Sequence, residues 1–323
     1  MSYHVIIDFN NFCGRARAKD TGLYNARGEG TGITFYMLRM IKSLSEKFNP
    51  KSIIFVEDGG LSEERLKFYP DYKSERQKKR SEQTEDQLEA YNEYLLQRAK
   101  FKRYMDFCNV RHIRCKGEEA DDVIAYMCHL SKFTKPFNLN GNLKHRLLVV
   151  SCDTDFIHLV SDEVHVWSPS KEKLYTPENT NPKKELLRKA ILGDKTDGIS
   201  SISGVGEKTI EKALDDYNEQ FSWEEDYEIF FDRCKTSSVS KIRKIEEEKN
   251  IVLRNVEIIS LLYNKGFVKY LSPEHKEEAK KVLSEFNETL DLTALMRMAF
   301  EDDFKTIYVN TKSSFNWASK LCA

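Results

Sequence analysis

Short continuous runs of aliphatic residues recur along this chain, and three of them stop at an aspartate. YHVII ends at Asp8, SIIFVE at Asp58 and RLLVVSC at Asp153. Runs this short and unbroken, bounded by polar residues, read as strands buried on both faces. Strands are predicted over Tyr3–Asp8, Ser52–Glu57, Val110–Arg114, Arg146–Cys152 and Val164–Ser168. Helical spacing lies between and after them, over Thr31–Lys47, Glu118–Lys132, Asp155–Val160 and Pro182–Leu192. Alternating strand and helix predicts an α/β class with a mainly parallel central sheet flanked by helices. Ligands of such folds sit at the carboxyl ends of the strands, where Asp8, Asp58 and Asp153 fall.

These three belong to a larger set of nine carboxylates in five clusters: Asp8; Asp58; Glu119, Asp121 and Asp122 in GEEADDVIAYM; Asp153 and Asp155; and Asp194 and Asp197 in LGDKTDGI. Taken singly, each has an ordinary reading as a helix N-cap, a first-turn acid favoured by the helix dipole, or a turn residue. Five such clusters converging on one sheet edge would repel one another unless cations lay between them. A donor set of oxygen alone, without His or Cys, selects the hard ions Mg²⁺ or Mn²⁺. Two such ions about 4 Å apart suit hydrolysis of a phosphodiester.

Composition sets outer limits. The 323 residues carry a net charge of −1, so any anionic partner must be met by local charge. No apolar run approaches the roughly 18 residues of a membrane span, and the N-terminus has no basic segment or cleavage site of a signal peptide. Seven cysteines, without a C-x-x-C pair, predict reduced thiols in a cytoplasmic protein rather than disulfides or zinc. The seven histidines lack metal spacing and read as structural.

Two regions break the strand–helix alternation. An insertion over about 59–106 reads as too long for a connection and too charged for core. Between Arg65 and Arg80 it holds seven basic residues against two acidic ones, with aromatics interleaved: Arg65, Tyr69, Tyr72, Lys73 and Arg76. Cations contact phosphates and aromatics stack on bases, so these five are candidate DNA-binding residues. The second region starts near Gly193. There Gly204, Val205 and Gly206, followed by Lys208, suggest a tight turn between helices that offers backbone N–H groups to a phosphate. The predicted division is a nuclease-type core at 1–192 and a helical subdomain at 193–323, with a helix–hairpin–helix at about 199–217. Lys132–Lys144 reads as a surface loop and Lys241–Asn264 as one long amphipathic helix. Tyr36 could stack on a base or pack in the core; Phe315 and Trp317 could dock a partner or pack on the body of the protein.

Taken in order, strand-ending Asp8, Asp58 followed by R-x3-YPxYKxxR, ExADD, S-x-DxDF-x-x-L, LGDxxDGI and GVGxKT resemble the flap endonuclease/5′-nuclease superfamily, most closely the bacteriophage 5′-exonuclease and RNase H enzymes. The resemblance spans residues 1 to about 217. It implies a PIN-like core, a helical arch and a 5′-nuclease that cuts flaps, nicked duplexes and RNA–DNA primers in replication and repair. It implies one metal site formed mainly by Asp8, Asp58, Glu119 and Asp121, and a second completed by Asp122, Asp153, Asp155, Asp194 and Asp197. Asp153 and Asp155 then join Lys73 and Arg76 as catalytic candidates, the two cations as arch residues on the scissile phosphate. Gly204–Lys208 would hold duplex, with K⁺ a candidate ion there. The expected cofactor is a pair of Mg²⁺ ions, replaceable by Mn²⁺. The expected partners are branched or nicked DNA and RNA–DNA hybrid, with a sliding clamp or single-strand-binding protein as further candidates, for a monomer without membrane contact. Gly198 stands where relatives often carry Asn, and His158 where Gln is common. The competing readings are a PIN-type ribonuclease, which leaves the basic insertion and GVG turn unexplained, and a non-catalytic branched-DNA-binding protein, which predicts gaps among the acids.

Overall fold

A computed structural model describes residues 3–131, 138–139, 142–143, 145–215, 223–261, 271–284 and 290–321. Its chief element is a six-stranded sheet. The strands are β1 (Tyr3–Asp8), β2 (Ser52–Val56), β3 (Arg111–Ile113), β6 (Arg146–Val150), β7 (Val164–Ser168) and β8 (Lys173–Tyr175), in the order β3-β2-β1-β6-β7-β8. Every neighbouring pair is parallel except β7 with β8, an edge strand absent from the sequence-based expectation. A two-stranded antiparallel ribbon, β4 (Asn138–Leu139) with β5 (Asn142–Leu143), lies in the expected 132–144 loop, whose other residues up to 144 fall outside the described ones.

Successive strand residues point to opposite faces, and the core divides accordingly. Val5, Ile7, Ile53, Phe55, Leu148 and Val150 face one layer. It is built from α1 (Phe9–Ala18), α2 (Gly32–Phe48) and α5 (Glu85–Asp106). Ile6, Ile54, Val56, Leu147, Val149 and Val166 face α6 (Ala120–Ser131) on the other side. The α1 helix was missed in the sequence because Asn10 and Asn11 interrupt its apolar pattern, yet Phe9, Phe12, Cys13 and Ala16 are buried at helical spacing.

The insertion comprises α3 (Glu63–Phe68), α4 (Ser74–Ser81) and α5, and the expectation that all of it is too charged for core is corrected. Tyr94, Phe101, Tyr104 and Met105 of α5 are core residues on one helical face, while most of its charges point outward and Arg98 and Lys102 turn in to Glu57. Gln97 joins them: its Oε1 accepts from the Ile33 and Thr34 N–H groups at 2.8 and 3.2 Å, capping an α2 N-terminus that Thr31 leaves uncapped.

The C-terminal boundary is corrected too. α7 (Pro182–Leu192), α8 (Glu207–Leu214), α9 (Trp223–Thr236), α10 (Ser240–Glu247) and α11 (Lys249–Ile259) share a third apolar cluster, so the helical subdomain ends near 259. The predicted long helix 241–264 is the pair α10–α11, divided at Glu248, with 262–264 outside the described residues. Beyond it the chain returns to the sheet. α12 (Pro273–Ser284) packs on the α6 face, and α13 (Leu292–Glu301), α14 (Lys305–Tyr308) and α15 (Thr311–Ser314) pack on the opposite face. Phe315 and Trp317 are buried there, which removes them as a docking handle, and Tyr36 packs half-buried against the same core.

Candidate active site and nucleic-acid interface

Parallel strands deliver their C-terminal residues to one edge, and each acid is then held by a local contact. Asp8 caps α1, accepting from the Asn11 N–H at 3.0 Å, and also accepts from Ser151 Oγ at 2.9 Å. Asp58 accepts from the Ala120 N–H at 2.8 Å, which ties it to the start of α6, and from Asn10 Nδ2. Gly59 makes that approach possible, since a Cβ there would stand 1.6 Å from the Cys115 carbonyl oxygen. Asp153 accepts from the Asp155 N–H at 2.9 Å, and Asp194 from Thr196 N–H at 2.8 Å. Behind them Arg98 donates to Asn10 Oδ1 at 2.8 Å and to Glu57 Oε1 at 3.0 Å. Asn10, Asn11, Arg98 and Ser151 were missed in the sequence, where nothing local marks them.

The proton affinities record how crowded this edge is. Burial and the charges of Asp58 and Asp153 push the Asp8 carboxyl up to about 6, against the hydrogen bonds from Asn11 and Ser151. Burial, then Asp153 and Asp8, drive Asp121 well above the usual carboxylate range. Burial and Asp153 raise Asp155 to about 7 although Lys189 opposes them. Burial raises Asp197 as well. Asp194 runs the other way: Lys189 and backbone N–H groups hold it low despite burial. Asp8, Asp58, Glu119, Asp121 and Asp153 thus form one zone of surplus negative charge that runs on through Asp155 to Asp194 and Asp197. The donors are all carboxylate oxygens, a set that fits hard divalent cations.

Cationic side chains of the chain itself partly offset that charge. Lys73 reaches Glu119, Arg76 reaches Asp197 at 2.6 Å, and Lys189 on α7 reaches Asp155 and, at 3.5 Å, Asp194. Lys73 stands in the left-handed region at φ 56°, and its N–H donates to the Asp197 carbonyl at 3.2 Å, so the arch is anchored directly over the acids. Lys189 was missed; its signal is a position one helical turn before Gly193 and Asp194.

Five expectations need correction. Arg65 is 2% exposed, its guanidinium on Glu119 and, at 2.6 Å, on Asp122; it braces the acids from inside and offers nothing to a phosphate. Asp122 is accordingly buried against Arg65, and the charges around it are Arg65, Glu119, Glu118 and Lys73 rather than the Asp153–Asp197 group, which takes it out of the second set. Tyr72 is buried with its hydroxyl accepting from Arg65 at 3.3 Å, and Tyr69 donates its hydroxyl to the Gly198 carbonyl at 2.8 Å. Both aromatics join the arch to the helical subdomain instead of facing bases. Gly198 suits its place, having φ 76° with Asp71 O 3.0 Å from a would-be Cβ. Val205 is likewise buried in the subdomain core.

The remaining hairpin residues are exposed. Gly204 takes φ 80°, a conformation natural to glycine, and Gly206 precedes the first residue of α8. Lys208 is exposed in the first turn of that helix, so backbone N–H groups and a cation share one surface.

Residues 3–185 match the family model described as the 5′-3′ exonuclease N-terminal, resolvase-like domain. The chain belongs to this 5′-3′ exonuclease family. Nuclease action on phosphodiesters is therefore its enzyme class. The 5′-3′ exonuclease of Aquifex aeolicus is 28% identical over 266 residues, covering 78% of this chain and 85% of that protein. The flap endonuclease of Escherichia phage T5 is 28% identical over 180 residues, 52% of this chain and 57% of the phage protein. DNA polymerase I of Streptococcus pneumoniae is 29% identical over 201 residues, which are only 20% of its length. Among solved structures, T5 5′-exonuclease with bound zinc superposes with a TM-score of 0.66 over 90% of this chain and 100% of that one, at 18% identity. A T5 flap endonuclease complex with DNA and metal ions gives 0.59 over 98% of this exonuclease-family chain and 99% of that one, again at 18% identity. These likenesses establish the shared fold.

Proposed function

We propose that the protein is a divalent-metal-dependent, structure-specific 5′-nuclease that removes flaps and RNA primers from branched or nicked duplexes during replication and repair. One observation carries this reading: acids from five separate stretches meet at a single sheet edge, under an arch whose cations already contact them. Mg²⁺ is the ion the all-oxygen donor set fits best, with Mn²⁺ as substitute; Asp8, Asp58, Glu119 and Asp121 would hold one ion, and Asp153, Asp155, Asp194 and Asp197 would help hold another. When bound, such ions supply charge neutralisation for the scissile phosphate and activation of water. The chain's own residues do the rest. Lys73 and Arg76 exchange their carboxylate partners for phosphate oxygens and stabilise the negative charge that develops there. Arg65 keeps Glu119 oriented from behind. The Gly204–Lys208 turn grips the duplex backbone away from the cut.

Cleavage of a 5′-flap duplex with Mg²⁺ tests the proposal. Asp153→Asn should lose at least a hundredfold in rate while still binding the flap in the absence of metal. Equal cleavage by wild type and variant, or by neither, removes the assignment. An RNA–DNA primer and a blunt duplex in the same assay rank the substrates.

A further inference from the structure

Behind the acidic edge, two elements far apart in the chain turn unlike donors toward each other. Cys115 follows β3 and is 1% exposed. His275 and Glu278 lie one helical turn apart on α12. One donor atom from each of the three lies within 4.8 Å of the others, and Cys115 Sγ stands 3.9 Å from Glu278 Oε2. Glu118 Oε1 is 3.7 Å from His275 Nδ1, beyond hydrogen-bonding distance. That nitrogen is buried with no hydrogen-bond partner among the described residues. Buried polar atoms rarely go unmatched, and here the neighbours are two carboxylates and a thiol. Burial, with Glu278 and Glu118 nearby, pushes the Cys115 thiol up to about 12, so the group is short of positive charge.

We infer that Cys115, His275 and Glu278, with Glu118 as fourth donor, form a site for one zinc ion, separate from the carboxylate pocket. Sulfur, nitrogen and oxygen together suit a borderline ion and disfavour Mg²⁺, whose preference is for oxygen alone. Tetrahedral zinc with bonds of about 2.0–2.3 Å sets its donors about 3.3–3.8 Å apart, so the widest separation among Cys115, His275 and Glu278 closes by about 1 Å. Binding releases the thiol proton to solvent as the zinc–sulfur bond forms. Spacing along the sequence argued against zinc; the fold supplies what spacing lacks. The site clips α12 to the loop that starts α6, and α6 carries Asp121 and Asp122. Zinc there braces Asp121, a proposed ligand of the carboxylate pocket, from behind without touching substrate.

The test uses the full chain, stripped with chelator and then kept in excess Mg²⁺ so that the carboxylate pocket is filled. Titration with Co²⁺ should give one equivalent with a thiolate-to-cobalt charge-transfer band, displaced by Zn²⁺. Cys115→Ser should abolish the band, and His275→Gln and Glu278→Gln should each weaken binding by at least about tenfold. Asp153→Asn should leave band and affinity unchanged. His275→Gln sits on the partly exposed side of α12 and keeps the test decisive if serine at 115 prevents folding, as checked by circular dichroism. Absence of the band in wild type overturns the site, and so does a band of unchanged strength in His275→Gln or in folded Cys115→Ser.

Discussion

Replacing Arg65 by methionine isolates the energetic role of the buried ion cluster. The guanidinium is 2% exposed and serves Glu119 and Asp122, whose side chains are each 4% exposed. Glu119 keeps Lys73 in the variant, so the loss falls mainly on Asp122. Removing one partner of a buried pair costs about 3–5 kcal/mol, because a desolvated charge remains behind. For 323 residues the unfolding entropy is roughly 0.7 kcal/mol/K, which converts the loss into a fall in Tm of about 4–7 °C. The sign of the pH dependence follows from Asp122. Even with Arg65 present, burial raises its carboxyl to about 6, so its contribution to stability falls as pH climbs from about 4 through 6. Without Arg65 the rise is larger and the falling region extends to higher pH. Calorimetry in chelator should therefore show a deficit at pH 8 that exceeds the deficit at pH 5. Arg65→Met/Asp122→Asn, which removes the stranded charge, should recover at least half of it. A deficit below about 1 kcal/mol, or a double variant no more stable than the single, refutes the reasoning.

Three further outcomes are expected. Mg²⁺ should raise Tm more at pH 8 than at pH 6, because Asp8 and Asp155, with carboxyls raised to about 6 and about 7, bind protons in competition with metal; an equal shift at both pH values excludes these acids from the metal site. Lys73→Ala should weaken binding of a 5′-flap duplex and flatten its salt dependence by about one unit of slope, as fluorescence anisotropy across a salt series would show. Trp317→Ala should cost about 3–5 kcal/mol in urea unfolding, since the ring is 6% exposed in the sheet-facing core; a loss below about 1 kcal/mol would return the aromatic tail to the surface.

The sheet was legible because its strands are buried on both faces and so stand out as unbroken apolar runs. Their carboxyl ends, and hence Asp8, Asp58 and Asp153, could be placed before any coordinates. α7 was legible for a similar local reason: Asn181 caps it and Pro182 opens it. α5 was legible only as an acidic helical run, because its five buried positions are diluted among charges over a long helix. Arg65 and Tyr72 were misread because a basic, aromatic stretch looks the same whether its members face phosphates or buried acids.

What the sequence determined alone is everything that short-range spacing encodes: the strand ends, the acids upon them, the glycine turn at 204–206 and the order that marks a 5′-nuclease. What the tertiary structure decided is every choice of partner across the chain. Arg65 takes Asp122, Lys189 takes Asp155, the C-terminal helices return to the sheet, and Cys115 comes to face His275. The physical reason is that periodicity reports which face of an element is apolar, whereas the pairing of charges and donors depends on how those faces dock.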